Sequence, residues 1–272
     1  MSPMPVQSNP PNIRAPMSKG LPQTPNMRLD GRRAIVTGAG RGIGLAAAAA
    51  LAEAGAELTL VARSNGEIDD VARAIRASGG IASSVTLDVS DLDCVRTFFV
   101  QRAAFHILVN NAGTNRPKPV WEVTEQDYDA VLDLNLKSAF FVAQACARRM
   151  IEEGVSGSLI HMGSQMGHVG GATRSLYCAS KWGLEGMSKS FALDLAQFGI
   201  RSNTIAPTFI ETPLTKPFFE DAAFKESVLA KIKLGRIGQV TDLMGPICFL
   251  ASDAAMLMTG TSLVVDGGWT TD

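Results

Sequence analysis

Downstream of about residue 28 the apolar positions fall into short continuous runs separated by longer mixed stretches. The runs are Arg33-Ala34-Ile35-Val36, Glu57 to Ala62, Ser84 to Leu87, Ile107 to Val109, Ser158 to Met162, Arg201 to Ile205 and Ser262 to Val265. Runs that stay apolar, rather than alternating with polar residues, predict strands covered on both faces. Between them Gly42 to Ala54 reads as an Ala-rich helix stopped at Gly55, and Ile68 to Ser78 as a helix closed by Gly79-Gly80. Two longer helices are expected around 124–153, with a break, and around 175–198. Strand–helix alternation of this kind predicts an α/β fold: one domain, a seven-stranded parallel sheet and helices on both faces. No internal repeat and no second domain is visible.

Residues 1–28 have a different character. Seven of the 13 prolines lie there (Pro3, Pro5, Pro10, Pro11, Pro16, Pro22 and Pro25), and such a segment buries too little apolar surface to order itself. It reads as a flexible arm ahead of a domain spanning 29–272, and it lacks the apolar core of a signal peptide. Across 272 residues the net charge is −1, which argues against nucleic acid or an anionic membrane as partner. No apolar run approaches the ~18 residues of a membrane span. Cys94, Cys146, Cys178 and Cys248 are scattered without a C-x-x-C, as expected for reduced thiols in a cytoplasmic protein. The three histidines, His106, His161 and His168, lack metal-ligand spacing, so no metal is expected.

The chemistry concentrates in two places. After the first strand comes Thr37-Gly38-Ala39-Gly40-Arg41-Gly42-Ile43-Gly44, leading into a helix. A strand, a turn without side chains and a helix N-terminus together make a seat for a dinucleotide pyrophosphate. Gly38 permits the tight turn, Gly42 lets a phosphate approach the backbone, and Gly44 allows close helix–strand packing. An acid ending the second strand would select NAD through the ribose 2′-hydroxyl. Ala62-Arg63 stands there instead, and Arg63, with Arg41 in the turn, suits the 2′-phosphate of NADP. NAD is the alternative. The second place is Tyr177-Cys178-Ala179-Ser180-Lys181, which puts a phenol and an ammonium on one helix face. A cation there favours the phenolate of a group that otherwise titrates near ~10.

With these motifs in view the chain resembles the short-chain dehydrogenase/reductase family from about Leu29 to Asp272. T-G-A-G-R-G-I-G at 37–44, D-V at 88–89, N-N-A-G at 110–113, Asn135, Ser164, Y-C-A-S-K at 177–181 and P-T-F-I-E-T from 207 fall in family order. The resemblance implies a Rossmann-type fold. It also implies roles: Tyr177 as general acid or base, and Lys181 lowering the tyrosine pKa and holding the nicotinamide ribose. Ser164 would position the substrate oxygen, and Asn135 would hold a water for a proton relay. Asp88 and Val89 would contact adenine, Asn111, Ala112 and Gly113 would line the cofactor, and Ile210 and Thr212 would contact the carboxamide. Ile43 would join the phosphate seat. Relatives are mostly homotetramers, which pair the two long helices and the C-terminal segment, where Trp269 is a candidate contact. One position departs from the pattern: Thr208 replaces the glycine that usually follows Pro207, either as a tolerated loop change or as a side chain facing nicotinamide or substrate.

The substrate pocket is expected from 165–174, 114–120 and the loop after Thr212, with Gln165, His168 and Arg174 as candidate polar contacts. Phe218, Phe219 and Phe224 among charges suit a lid or ordinary packing. The wording F-I-E-T-P, L-G-R-I-G and V-D-G-G-W resembles gluconate 5-dehydrogenases and 3-oxoacyl-carrier-protein reductases. The expected activity is a ketone/secondary-alcohol oxidoreductase on a sugar acid or polyol, with 3-oxoacyl-carrier-protein reduction as the alternative. A dinucleotide sensor without turnover is the reading from another class.

Overall fold

The computed structural model describes residues 21–271. The arm expected at 1–28 lies mostly outside them; residues 21–28 are exposed and lack regular structure, and Leu29 is the first to enter the core.

Seven strands, all paired in parallel, form one sheet in the order β3-β2-β1-β4-β5-β6-β7. They are β1 Arg33–Thr37, β2 Glu57–Ala62, β3 Ile81–Thr86, β4 Ile107–Asn110, β5 Gly157–Met162, β6 Ile200–Pro207 and β7 Ser262–Val265. The helices are α1 Gly42–Glu53, α2 Asn65–Ala77, α3 Leu92–Val100, α4 Glu125–Leu132, α5 Ser138–Glu153, α6 Ser175–Leu195, α7 Ala222–Leu229 and α8 Met244–Ala251. The strand order reverses between β1 and β4, and that reversal opens a crevice at the carboxyl ends of the strands.

Each face of the sheet has its own core. On one side Leu51 of α1, Ile68 of α2 and Leu250 of α8 close over Val36, Leu60 and Ile160. On the other, Phe98 and Phe99 of α3 and Met150 of α5 close over Ile35, Leu108 and Leu159. Phe99 meets Phe98 and Phe105 edge-on, at ring distances of 5.1 and 6.0 Å, so Phe99→Ala is expected to cost ~3–5 kcal/mol.

The sequence reading missed α3, α7 and α8. Asp91 caps α3 by accepting from the N–H groups of Asp93 and Cys94, and Asp221 caps α7 in the same way. In α8, Gly245-Pro246 reads as a breaker, yet a proline in a first helical turn has no intrahelical partner to lose. The break expected near 124–153 is a π-helical stretch, Asp133–Lys137, between α4 and α5. The helical run Glu125–Glu153 is long and apolar enough by composition to cross a membrane, contrary to the expectation that nothing approaches a span. In this fold it is a core helix, with Val142, Ala143, Cys146 and Met150 turned onto the sheet.

Candidate active site

The crevice runs from the glycine turn to the first two turns of α6. At the turn, Gly38 and Gly42 hold φ of +63° and +56°, which L side chains adopt at a cost. Gly44 faces back onto the turn, and a Cβ there would lie 2.0 Å from the Gly38 carbonyl oxygen. The turn is clamped from β4: Asn111 Nδ2 donates to the carbonyls of Thr37 and Gly38 at 3.0 and 3.2 Å. The N–H groups of Asn111 and Ala112 donate to Thr37 Oγ1 at 2.9 and 3.0 Å. Thr37 is thus a structural member of the site that the motif reading passed over. No side chain caps α1, and no acid stands in its first turn. Its free N–H groups and its dipole suit an anion, so the residues present fit a dinucleotide pyrophosphate.

Beyond the end of β2, Arg63, Ser64 and Glu67 border the crevice beside Arg41. Arg41 Nη1 lies 3.5 Å from Glu67 Oε1. Sequence reasoning missed Glu67, because it sits in the first turn of α2 rather than at the strand end. Two guanidinium groups and the carboxylates of Glu67 and Asp88 border this corner. Burial pushes Asp88 up, but hydrogen bonds from Ser90 and the charge of Arg63 hold it below its ordinary value. Asp88 and Val89 line the same end.

At the other end, Lys181 is buried and donates from Nζ to the Met162 carbonyl, at the end of β5, at 2.7 Å. Its Nζ stands 5.5 Å from the Tyr177 ring centroid. Burial pushes Lys181 down to about 8, while Glu185 one turn further on works the other way. Tyr177 departs from expectation. Burial raises its phenol above the ordinary value, and hydrogen bonding with Ser164 offsets this only in part. The Lys181 ammonium is not among the groups that offset this burial. Ser164 Oγ donates to Gln165 Oε1 at 2.7 Å and accepts from the Met166 N–H.

Asn135 lies in the π-helical stretch, the kind of local widening often found at functional sites. Its amide brackets Thr114, accepting from the N–H at 2.8 Å and donating to the carbonyl at 2.9 Å. Its Nδ2 also donates to Ser180 Oγ, which in turn donates to the Tyr177 carbonyl at 2.8 Å. Asn135 therefore ties the N-N-A-G loop to the catalytic helix.

Of the three candidate substrate contacts, Gln165 and Arg174 line the crevice and His168 does not. His168 Nε2 instead pairs with Ser262 Oγ at 2.9 Å and lies 3.5 Å from Glu185 Oε1. Glu185 is buried and accepts from Thr204 Oγ1 at 2.7 Å, so His168 belongs to a structural network behind the site. Gly44 packs against the turn without reaching the crevice, while Gly38, Gly42, Ile43, Gly113, Ile210 and Thr212 do line it. Thr208 lines it as well, and its Oγ1 is buried without a hydrogen-bond partner, as is Asn115 Oδ1. Phe209, Phe218, Phe219 and Phe224 cluster beside it, with Phe209 5.7 Å from Phe224. Trp269, expected at a subunit contact, packs on Phe209 within the chain at 5.7 Å.

Comparison with known proteins points to one family of oxidoreductases. Residues 38–270 match the family model described as Enoyl-(Acyl carrier protein) reductase. The 2-dehydro-3-deoxy-D-gluconate 5-dehydrogenase of Bacillus subtilis (strain 168) is 37% identical over 244 residues, 89% of this chain and 95% of that protein. D-erythrulose reductase of Gallus gallus is 34% identical over 245 residues, 90% and 98% of the two chains. Among solved structures, a gluconate 5-dehydrogenase from Burkholderia cenocepacia J2315 in complex with NADP and tartrate has a TM-score of 0.87 and 39% identity, covering 90% of this chain and 98% of its own.

Proposed function

The chain belongs to the short-chain dehydrogenase/reductase family, and from that premise we propose that it is an NADP-dependent enzyme interconverting a ketone and a secondary alcohol on a small polyhydroxylated substrate, a sugar acid or polyol. One observation carries the reading: a single crevice joins an uncapped helix N-terminus to Ser164, Tyr177 and Lys181. When bound, NADP supplies or accepts the hydride at carbon. The backbone N–H groups at the start of α1 would hold its pyrophosphate, and Arg41 and Arg63 its 2′-phosphate.

The chain's own residues supply orientation and the proton. Ser164 Oγ, now turned to Gln165, is placed to donate to the substrate oxygen. The Tyr177 hydroxyl gives its proton to that oxygen in reduction and takes it back in oxidation. Burial keeps the phenol protonated, which favours the acid role. Lys181, held on Met162, would hold the nicotinamide ribose when the cofactor is bound, and its charge would then ease release of the Tyr177 proton. Asn135, having locked Thr114 to α6, keeps the loop and the helix in register and orders a relay water.

Purified protein with NADPH should oxidise the cofactor in the presence of hydroxyketones. Tyr177→Phe should lower turnover by ~10³-fold while leaving NADPH affinity unchanged. Cofactor binding without turnover on any carbonyl compound would mark a sensor, and a preference for β-keto thioesters would move the reading to acyl chains. We assign the catalytic unit to residues 29–272 and read the protein as a cytoplasmic homotetramer. Free thiols support the compartment. Exposed Trp121, Tyr128, Trp182 and Leu193, on or beside α4 and α6, support the assembly. A monomeric mass by light scattering would refute it.

A further inference from the structure

We propose that Arg174 anchors a carboxylate of the substrate, so that among the compounds the fold admits this site takes sugar acids rather than neutral polyols. The inference rests on the oxidoreductase reading above and narrows it.

Arg174 is only 7% exposed, yet it lines the crevice beside Tyr177. Among the described residues its sole side-chain hydrogen bond runs from Nη1 to Thr173 Oγ1 at 3.0 Å, and no carboxylate pairs with it. Nε and Nη2 make no hydrogen bond among the described residues, which leaves a fork that matches the two oxygens of a carboxylate. One side of the guanidinium is covered by the Phe218 ring, 5.4 Å from Cζ to the centroid. A buried charge without a partner is costly, and burial pushes this guanidinium below its ordinary value.

Two further features sharpen the point. Arg174 flanks the N-terminus of α6, where the helix dipole already disfavours a cation. Its neighbour Thr173 has φ of +58°, the one positive φ outside glycine among the described residues. The backbone there is held by Lys118, whose N–H donates to the Thr173 carbonyl at 3.0 Å. Strain and unpaired charge at adjacent residues, both beside the catalytic tyrosine, are the marks of a group kept ready for a ligand. An anion set between the fork and the helix terminus would satisfy both.

The test compares a keto-hexonate with the ketohexose of equal chain length, in NADPH oxidation by wild type and by Arg174→Gln. We expect wild type to prefer the acid, and Arg174→Gln to lose about a hundredfold in kcat/KM for the acid, mainly through KM, while changing the neutral ketose by less than about threefold. NADPH affinity should not change. Tartrate should compete with the ketone on wild-type holoenzyme and raise its Tm, and do neither on the variant. Equal losses on both substrates, or a wild-type preference for the neutral ketose, would overturn the proposal while leaving the oxidoreductase reading intact. Should Arg174→Gln not fold, the tartrate shift on wild-type holoenzyme decides alone: its absence rejects the anchor. No NADPH oxidation with any carbonyl compound would instead remove the underlying reading.

Discussion

The two ends of the crevice treat their polar groups in opposite ways. Around the glycine turn the protein satisfies its own side chains: four hydrogen bonds join Asn111 and Ala112 to Thr37 and Gly38, and Gly44 leaves no spare volume. What stays open there is backbone, the free N–H groups of α1. At the substrate end the open groups are side chains. Among the described residues Thr208 Oγ1 and Asn115 Oδ1 are buried without partners, and Arg174 has no acid. The first half is a rigid cradle for a ligand that never changes. The second holds unmet polar groups whose cost in the empty protein becomes selectivity when the right molecule arrives.

The severest way to break this contrast is to crowd the cradle. In Gly44→Ala the new methyl would sit 2.0 Å from the Gly38 oxygen and 2.6 Å from Asn111 Nδ2, and neither can retreat. Overpacking of this order costs ~1–3 kcal/mol, and the displaced turn should lose more than ~100-fold in NADPH affinity. Fluorescence titration with NADPH and a urea melt would measure both. Unchanged NADPH binding would mean that the cradle is softer than its hydrogen bonds imply.

A pH profile separates catalysis from stability in the buried helix face between the two ends. Burial pushes Lys181 down to about 8, so its ammonium is lost as pH rises through that value. Ketone reduction needs the charge, and kcat/KM should fall about tenfold per unit above it. Stability moves the other way. Between about 8 and the ordinary lysine value the unfolded chain binds more protons than the folded one, so this group adds stability as pH rises. Lys181→Met should abolish the activity and also flatten that stability slope, as urea melts at pH 7 and 10 would show. A limb that stays near ~10 would mean that Glu185 outweighs burial.

Legibility followed the same division. The strands at 33–36 and 57–62, the glycine turn, Tyr177 and Lys181 were readable because each depends on local spacing. A turn needs glycine where φ is positive, and a helix puts i and i+4 on one face. Glu67, Thr37 and Glu185 were not readable. Their positions depend on where α2 starts, on which strand lies beside β1 and on what packs behind α6. His168 illustrates the converse: its place in the 165–174 segment suggested substrate, but β7 supplies Ser262 as a nearer partner. Helix α3 was legible in principle from Val95, Phe98 and Phe99 at helical spacing, with Asp91 as cap.

Cofactor choice tests the cradle's charged rim with a smaller effect. Arg63→Ala removes one of the two guanidinium groups bordering this end of the crevice, and should weaken NADPH by about tenfold, the worth of one charge-assisted hydrogen bond, while leaving NADH unchanged. Comparing KM for the two cofactors decides it. Equal weakening would place Arg63 outside the 2′-phosphate contact.

The mildest substitution addresses the substrate end most directly. Thr208→Val keeps the shape of the side chain and removes a hydroxyl that has no partner in the empty protein. If that hydroxyl waits for ligand, its loss should leave folding stability equal or raise it by up to ~1 kcal/mol, since no hydrogen bond is broken and a desolvated dipole is removed. The same change should lower kcat/KM by about threefold to tenfold, because the ligand loses a donor. A structural hydroxyl would give the reverse pattern, lower stability with unaltered kinetics. The sign of the stability change, read from a urea melt beside a kinetic assay, therefore tells whether the glycine-to-threonine departure at this loop is a tolerated change or part of the recognition surface.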